Sequence, residues 1–461
     1  MRNIRALILM VIMSLLFYGC PLPGVDDGSA NGSGDYTVTY APNGANSGTV
    51  PYDGGSYERY ENAQVKDNTG MLRRDGYGFL GWNTSPTGDG TTYKYAENIF
   101  ILSSNITLYA LWGSLDPGIR CVSAGGFYSM FLKSDGSLYT AGQNGNGQLG
   151  TGTTRNETHP IKIMEGVKAI SAGHHHTMIL KDNGDLYATG GNSYGQLGTG
   201  DYSEVNLPVK VRSGVIAVDC GYYHTMVIDS DGKLYGTGNG SNYRLGNNST
   251  DNTHTFTHIA DGVAAVSAGS QETLFITNNG ALYGFGENNN GNLGLGDTVE
   301  RRIPTLITSG VRAVSAGLTH TMFITTNDEL WAMGSSSLGE LGNDTNAFSY
   351  RTLPEKALED VKEVSSGMNY SMAIKNDNTL WCTGTNGTYG KLGIGLSQNS
   401  YIATWREVRG DVIKVDAGYQ HTLIWIVGDS VYGAGKNGSG QLGNSESSGM
   451  NASFSNSRIF F

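Results

Sequence analysis

The sequence predicts an all-β fold, a seven-bladed β-propeller preceded by a small N-terminal β domain. Two regular markers and one turn signal carry that reading. The glycine closing each "SAG"-like triplet recurs at Gly125, Gly173, Gly221, Gly269, Gly317, Gly367 and Gly418, in steps of 48 residues four times, then 50 and 51. The glycine closing each "QLG"-like triplet recurs at Gly150, Gly198, Gly246, Gly294, Gly342, Gly393 and Gly443, with four steps of 48, then 51 and 50. Between the two markers stand Asp135-Gly136, Asn183-Gly184, Asp231-Gly232 and Asn279-Gly280, pairs that favour two-residue hairpins. A unit of this size cannot bury both faces of its own sheet, so seven copies stack around an axis.

The chain opens with "MRNIRALILMVIMSLLFYGC". Arg2 and Arg5 precede an apolar run from Ala6 to Tyr18, too short to span a bilayer and flanked as a signal peptide is. Residues 1–19 are therefore read as a signal peptide. Gly19-Cys20 resembles a bacterial lipobox, which makes Cys20 the lipidated first residue of the mature chain; Phe17 and Tyr18 depart from the usual pattern there. Residues 20–35 include "PLPGVDDGSANGSGD", with no hydrophobic period, a flexible tether reaching roughly 20 Å as a coil. No second long apolar run follows, so the remainder is expected outside the membrane, held to it through lipid alone.

Residues 36–113 form the second region. It begins with the alternating "YTVTY" and ends with "NITLYALW", both strand-like by their period of two. Between them lies the aromatic, turn-rich "GYGFLGWNTSPTGDGTTY". The series Gly76-Tyr77, Phe79, Gly81-Trp82-Asn83-Thr84, Gly88, Gly90-Thr91, Tyr93 and Leu108-Tyr109-Ala110-Leu111-Trp112 resembles the internalin-type B-repeat (Listeria–Bacteroides repeat) of bacterial surface proteins. That resemblance implies a small β-grasp-like fold in an exported, cell-envelope protein. Trp82 and Trp112 read as core aromatics of this domain.

The propeller is expected over residues 117–461. Each repeat reads as four short strands, for example "VKAISAG", "HHTMILK", "DLYATG" and "LPVKVR". No fourth-type strand precedes the first repeat, while "SNSRIFF" follows the last "QLG". That final segment is expected to complete the sheet beside blade one and remove an open edge.

The repeat frame decides how the apparent motifs are read. His174-His175-His176 invites a metal site. Three residues after each "SAG" glycine, however, stand Tyr128, His176, His224, Glu272, His320, Tyr370 and His421. His176 thus occupies a ring position shared with Tyr and Glu, expected to make a structural hydrogen bond to backbone. His174 and His175 fill a variable pair whose other occupants are "GF", "YY", "SQ", "LT", "MN" and "YQ". Metal ligands must converge on one point, whereas ring positions sit on different blades, so no metal and no cofactor is expected. "GNGQLG" (Gly145, Gly147, Gly150) and "GSGQLG" (Gly438, Gly440, Gly443) match a dinucleotide fingerprint but follow a hairpin, with no βαβ unit around them. "DSDG", Asp229 to Gly232, lacks the later carboxylates of a calcium loop. Cys121, Cys220 and Cys382 fall in slots where other repeats carry Ala, Thr or Gly, so they read as buried small residues without a disulfide.

The consensus "SAGxxHTMxLxxDGxLYxxGxNxxGQLG" resembles the regulator of chromosome condensation repeat family. The resemblance implies a seven-bladed propeller and leaves function open. The namesake's nucleotide exchange on a small GTPase and chromatin docking are not carried over, because this chain reads as exported and acidic. The formal net charge is −11, and removing the first 19 residues takes away two arginines. No basic stripe is present to displace the counterions of a nucleic acid.

The expectation is a non-enzymatic, monomeric interaction protein, lipid-anchored in a bacterial cell envelope, whose propeller face binds another protein. The alternatives are a secreted enzyme inhibitor, as bacterial β-lactamase-inhibitor propellers are, or less favourably a lectin or an enzyme. Binding would use loop residues that differ between repeats: His174, His175, Tyr222, Tyr223 and Tyr419 from the variable pairs, with Tyr194, Tyr243 and Tyr389 from the long loops. Tyrosine offers large contact area at low entropy cost.

Overall fold

The computed structural model describes residues 36–74, 77–102, 104–114, 118–343, 349–395, 401–428, 430–444, 449–454 and 458–459. The signal peptide, Cys20 and the tether lie outside them. The chain divides into two compact units, the first reaching Gly113 and the second beginning at Ser114.

In the first unit, a four-stranded sheet runs in the order Val38–Ala41, Ile106–Ser114, Tyr77–Asn83, Thr92–Tyr93, and a separate pair joins Asn62–Gln64 to Asn98–Phe100. The first and last of the long strands pair in parallel, Val38 opposite Ile106. Trp82 is the centre of the core, 1% exposed. Its ring lies 4.7 Å from Tyr40 and 5.1 Å from Phe79, both edge-on. Its indole N–H donates to the Lys66 carbonyl at 3.0 Å, which removes the penalty of burying that donor. Trp112 packs on Phe79 at 5.7 Å and donates to Pro42. No helix lies among the described residues of this unit.

The second unit is seven sheets, each of four chain-consecutive antiparallel strands in the first six, covering 119–164, 167–212, 215–260, 263–308, 311–358 and 361–409. The seventh starts at Val412. In every blade the first strand is innermost, packed against the first strands of its neighbours, and the fourth is the exposed outer edge. Pro160, Pro208, Pro304 and Pro354 sit in those outer strands, and each removes an N–H that a second molecule could pair with.

The hairpin between strands two and three turns at Gly136 (φ +80°), Gly184 (+82°), Gly232 (+74°) and Gly280 (+78°), where a side chain would be strained. Blades five and six lack the glycine and place Asp328 (+60°) and Asn378 (+70°) there instead, the residue types that tolerate the left-handed region. Each turn also holds the start of the following blade: Val167 N–H donates to Gly136 O at 3.0 Å, and Val361 N–H to Asp328 O at 2.9 Å.

The C-terminal segment completes a sheet, and that sheet belongs to blade seven. Met450–Asn451 and Arg458–Ile459 both pair with the third strand, Ser430–Lys436. They form two short pieces of a fourth strand in place of one long one. Blade one has its own fourth strand, Glu157–Met164, so the ring closes without exchanging strands. The seam is hydrophobic instead: Ile459, 3% exposed, packs with Val431 and Leu423 of blade seven and Ile119, Val122, Phe131 and Ala141 of blade one. Ile459→Ala should cost about 2–4 kcal/mol, the usual range for such a core truncation, measured by denaturant unfolding of the full chain. Truncation of an exposed apolar residue such as Leu207 should cost far less.

Candidate functional site

Alternation of strand direction puts the turns of the "SAGxxH" hairpins and the long "GxNxxGQLG" loops at one end of the propeller, opposite the Asp-Gly turns. The axis is closed at that end by three layers, each built by the repeat.

The first layer is a ring of seven hydrogen bonds. The residue before each collar alanine accepts the backbone N–H of the collar residue in the next blade. The acceptors are Ser123, Ser171, Asp219, Ser267, Ser315, Ser365 and Asp416, at 2.6 to 3.1 Å. The last bond, Ala124 N–H to Asp416 Oδ2 at 2.6 Å, joins blade one to blade seven.

The second layer is the buried ring position. His176, His224, His320 and His421 are 0% exposed, and the Nε2 of each lies 2.8–3.0 Å from the hydroxyl of Thr225, Thr273, Ser371 or Ser129 in the following blade. Each of those hydroxyls donates onward to a backbone carbonyl of a "QLG" loop, as Thr225 does to Gln196 O at 2.8 Å. The hydroxyl oxygen therefore accepts, which places the imidazole proton on Nε2. Burial holds these rings neutral, with His176, His320 and His421 pushed down to about 3. Tyr128 and Tyr370 donate to the carbonyls of His176 and His421 and also touch Thr177 and Thr422. The expected backbone partner is thus correct only for the tyrosines; the histidines bond a side-chain hydroxyl through Nε2, and the buried Nδ1 of each has no partner. The third layer is the loop itself, where Asn144, Asn192, Asn288, Asn386 and Asn437 each accept the N–H of the "QLG" leucine.

Glu272 is the irregular member. It is buried, but its Oε1 and the facing Thr321 hydroxyl have no partner. Burial, with the Glu287 charge added, pushes Glu272 up to about 8, against the Gln271 N–H bond and Arg244, which pull it down. The protonated acid fits the site.

Above these layers the variable pairs form the rim. The first member of each pair lines a cavity of about 130 Å³ at the channel mouth: Gly126, His174, Tyr222, Ser270, Leu318, Met368 and Tyr419. Its floor is the collar of Ala124, Ala172, Cys220, Ala268, Ala316, Ser366 and Ala417.

The structure brings most of the candidate residues together. His174 stacks on Tyr222 with centroids 3.9 Å apart and planes at 16°. Tyr419 meets His174 edge-on at 5.2 Å and Tyr222 at 6.0 Å. Tyr223 touches Tyr222 at 4.5 Å and Tyr194 at 4.8 Å, while His175 lies 4.0 Å from His174. Blades seven, two and three thus contribute to one aromatic cluster, and blade one joins it through Phe127. His174 is 9% exposed and neither ring nitrogen has a partner; burial, then the neighbouring His175 and His176, hold it down at about 3. Tyr222 is pushed up by burial first and by Tyr223 and Tyr419 next.

Tyr389 joins indirectly: the Lys436 ammonium lies 5.1 Å from its ring and 4.6 Å from that of Phe127, within cation–π range. Phe127 itself packs on His174 and Tyr419. Tyr243 is not in the cluster; Arg302 covers it at 4.8 Å. Phe127 and Lys436 escaped the sequence reading, although Phe127 stands in the same variable pair as the rest. Asp219 and Asp416 also escaped it. Their signal was "DCG" and "DAG" where five repeats begin the triplet with Ser. Cys220 and Cys382 are buried; Cys121 is partly exposed, contrary to expectation, and all three are free thiols.

Comparison with known proteins agrees with this architecture. The regulator of chromosome condensation (RCC1) repeat matches residues 135–180, 183–228 and 279–324, and a second description of the same repeat matches 119–148, 167–196, 215–244, 263–292 and 311–340. The Listeria-Bacteroides repeat domain matches residues 36–111. Human WBSCR16 superposes with a TM-score of 0.61 at 21% identity, covering 76% of this chain and 97% of that one. Yeast RCC1 (Prp20), solved with Kap60 bound, gives 0.63 at 15%, covering 75% and 86%. Prp20p of Saccharomyces cerevisiae, described with its binding to Gsp1p and histones, gives 0.58 at 20%, covering 66% and 82%. A protein of Evansella cellulosilytica named as a Gly-rich membrane protein is 40% identical over 81 residues. Those residues are 17% of this chain and only 9% of that relative's length.

The Glu272 geometry makes a pH prediction. The folded state keeps the proton up to about pH 8, while the unfolded chain releases it in the usual carboxylate range. Stability is therefore lost progressively as pH rises from about 4.5 to about 8, and is level above. In thermal melts, the gain of Glu272→Gln over the natural protein should widen from pH 5 to pH 8 and then stay constant. A gain that does not vary with pH contradicts a buried, protonated Glu272.

Proposed function

We propose, for a chain that carries regulator of chromosome condensation repeats behind a Listeria-Bacteroides repeat domain, that it is an exported, lipid-anchored interaction protein whose loop face binds another protein. The observation that carries this reading is the aromatic cluster at the channel mouth. Positions free to vary within the repeat have converged on Phe127, His174, His175, Tyr222, Tyr223 and Tyr419, side by side across four blades. Large aromatic side chains, part buried and part exposed, are the usual anchors of a protein interface. Binding is favoured over catalysis because six of the seven ring-position polar groups are spent on joining blades, and the rim is mostly aromatic and apolar. One solved protein of this fold, yeast Prp20, is described in two structures with protein ligands, Kap60 in one and Gsp1p and histones in the other, which supports a protein as the ligand class.

The anchor is proposed from Cys20 and the apolar run before it, and the tether from the Gly- and Ser-rich residues that follow. Together they would hold the propeller off a bacterial envelope surface.

Two outcomes test this. Tyr222→Ala with Tyr223→Ala should weaken capture of the envelope partner by about 10–100-fold, the loss expected of two anchor residues, with the melting temperature nearly unchanged. Unaltered capture removes this face. Cys20→Ala should move the full chain from the membrane fraction to the soluble fraction of the expressing cell; continued membrane retention contradicts lipid attachment there.

A further inference from the structure

We infer that the channel mouth is a socket for one uncharged, apolar side chain of the protein partner, between leucine and phenylalanine in size. The inference rests on the protein-binding reading above and names the group that the partner inserts. It comes from what the wall of the cavity leaves available to a ligand.

Each blade gives the wall a collar residue, a glycine and a rim residue, a stretch rich in bare backbone. That backbone is already hydrogen-bonded. All seven collar amides are spent on the ring of Ser and Asp acceptors. All seven glycine amides donate to the carbonyl of the ring residue three positions on, at 2.8–2.9 Å. At the rim, the amides of Gly126, Tyr222, Ser270, Met368 and Tyr419 each donate to the glycine carbonyl of the following blade, at 3.1–3.4 Å. The two polar collar side chains are engaged as well: Ser366 Oγ donates to Ser315 O at 3.2 Å, and Cys220 Sγ to Ser171 O at 3.4 Å.

What remains for a ligand is mostly carbon. Alanine forms the collar in five of seven blades, and Leu318, Met368 and the Tyr222 and Tyr419 rings stand above it. No Asp, Glu, Lys or Arg is among the lining residues. Arg244 and Lys391 do not line the cavity; they hold the carbonyls of Ser270 and Met368 at 2.8 and 2.6 Å. His174 offers no polar contact, since both its nitrogens are buried. A charged group would lose its water here and meet no counter-charge, and an amide would find the backbone occupied. An apolar group gains by leaving water. The cavity of about 130 Å³ is close to the ~150 Å³ that houses one benzene molecule in an engineered cavity, which limits the guest to one side chain. The rim bonds and the two cations also fix the wall before binding, so little ordering cost falls on a ligand.

Ligand-observed NMR or calorimetry on the full chain at neutral pH tests this with four probes: Nα-acetyl-leucinamide, Nα-acetyl-lysinamide, Nα-acetyl-asparaginamide and toluene. The leucinamide and toluene should bind, and the lysinamide and asparaginamide about tenfold more weakly or less, as burial of one leucine-sized group implies. Leu318→Trp with Met368→Trp fills the mouth at positions where blades three and seven carry tyrosine. It should lose about tenfold or more in leucinamide affinity, with a melting temperature near that of the natural protein. Leu318→Ser with Met368→Ser installs the residue of blade four and should also weaken leucinamide binding. Equal binding of leucinamide and lysinamide, or leucinamide binding unchanged in both double variants, overturns the socket. Binding of toluene with refusal of the leucinamide overturns the assignment to a partner's side chain. The broader protein-binding reading fails separately, if capture survives loss of Tyr222 and Tyr223.

Discussion

Around the axis of this propeller, one inner-strand side chain in each blade accepts the backbone N–H of the next, and the seventh bond returns to the first blade. That closed ring of hydrogen bonds constrains everything outside it. The acceptor must be short, hence Ser or Asp. Two residues after it stands a glycine, because seven strands crowd one axis: a Cβ on Gly173 would stand 2.2 Å from the His176 ring and 2.9 Å from the Gly221 carbonyl oxygen. Further out, the buried ring position must reach a hydroxyl on the neighbouring blade, which four histidines and two tyrosines do. The "QLG" glycine must adopt a positive φ and let its loop settle on the neighbour's outer strand, as Gly443 does against Pro160 across the closing seam. A repeat of about 48 residues is therefore a set of contacts with the next copy, and little of it is free.

This explains how much could be read before any coordinates. Blade number, strand order, hairpin turns and the role of His176 as one of seven equivalents all follow from period and position. The identity of the ring bond did not follow, because a hydroxyl from another blade lies some 49 residues away in sequence and carries no local signal. The same holds for the C-terminal strand. Its sequence identified a sheet-completing piece, but pairing with Ser430–Lys436 in two fragments depends on a loop path that composition does not encode. Tyr243 and Tyr194 look alike in sequence, one loop position each, yet Arg302 covers the first while Tyr223 draws the second into the cluster. Asp219 and Asp416 were legible as departures from the repeat, and only the closed ring gives those departures a common location.

The division between constrained and free positions also locates function. Ring residues and collar are committed to holding blades together and the loop asparagines to shaping their own loops, so chemistry is left to the slots that vary. Those slots converge at the mouth of the channel on one face, where aromatic groups from four blades touch and a histidine is left unpaired. The opposite face carries the hairpin turns and the short links between blades, and four of the outer strands are interrupted by proline. The face that the repeat leaves unspecified is the one where a ligand can be chosen.

The ring itself can be measured bond by bond through amide hydrogen exchange at Ala124, Ala172, Cys220, Ala268, Ala316, Ser366 and Ala417. A closed ring held by seven equivalent bonds predicts that all seven amides exchange only on global unfolding, with Ala124 at the seam as slow as the other six. An Ala124 amide exchanging orders of magnitude faster than the rest would mean that the blades form an open array, and the account would fail at its root.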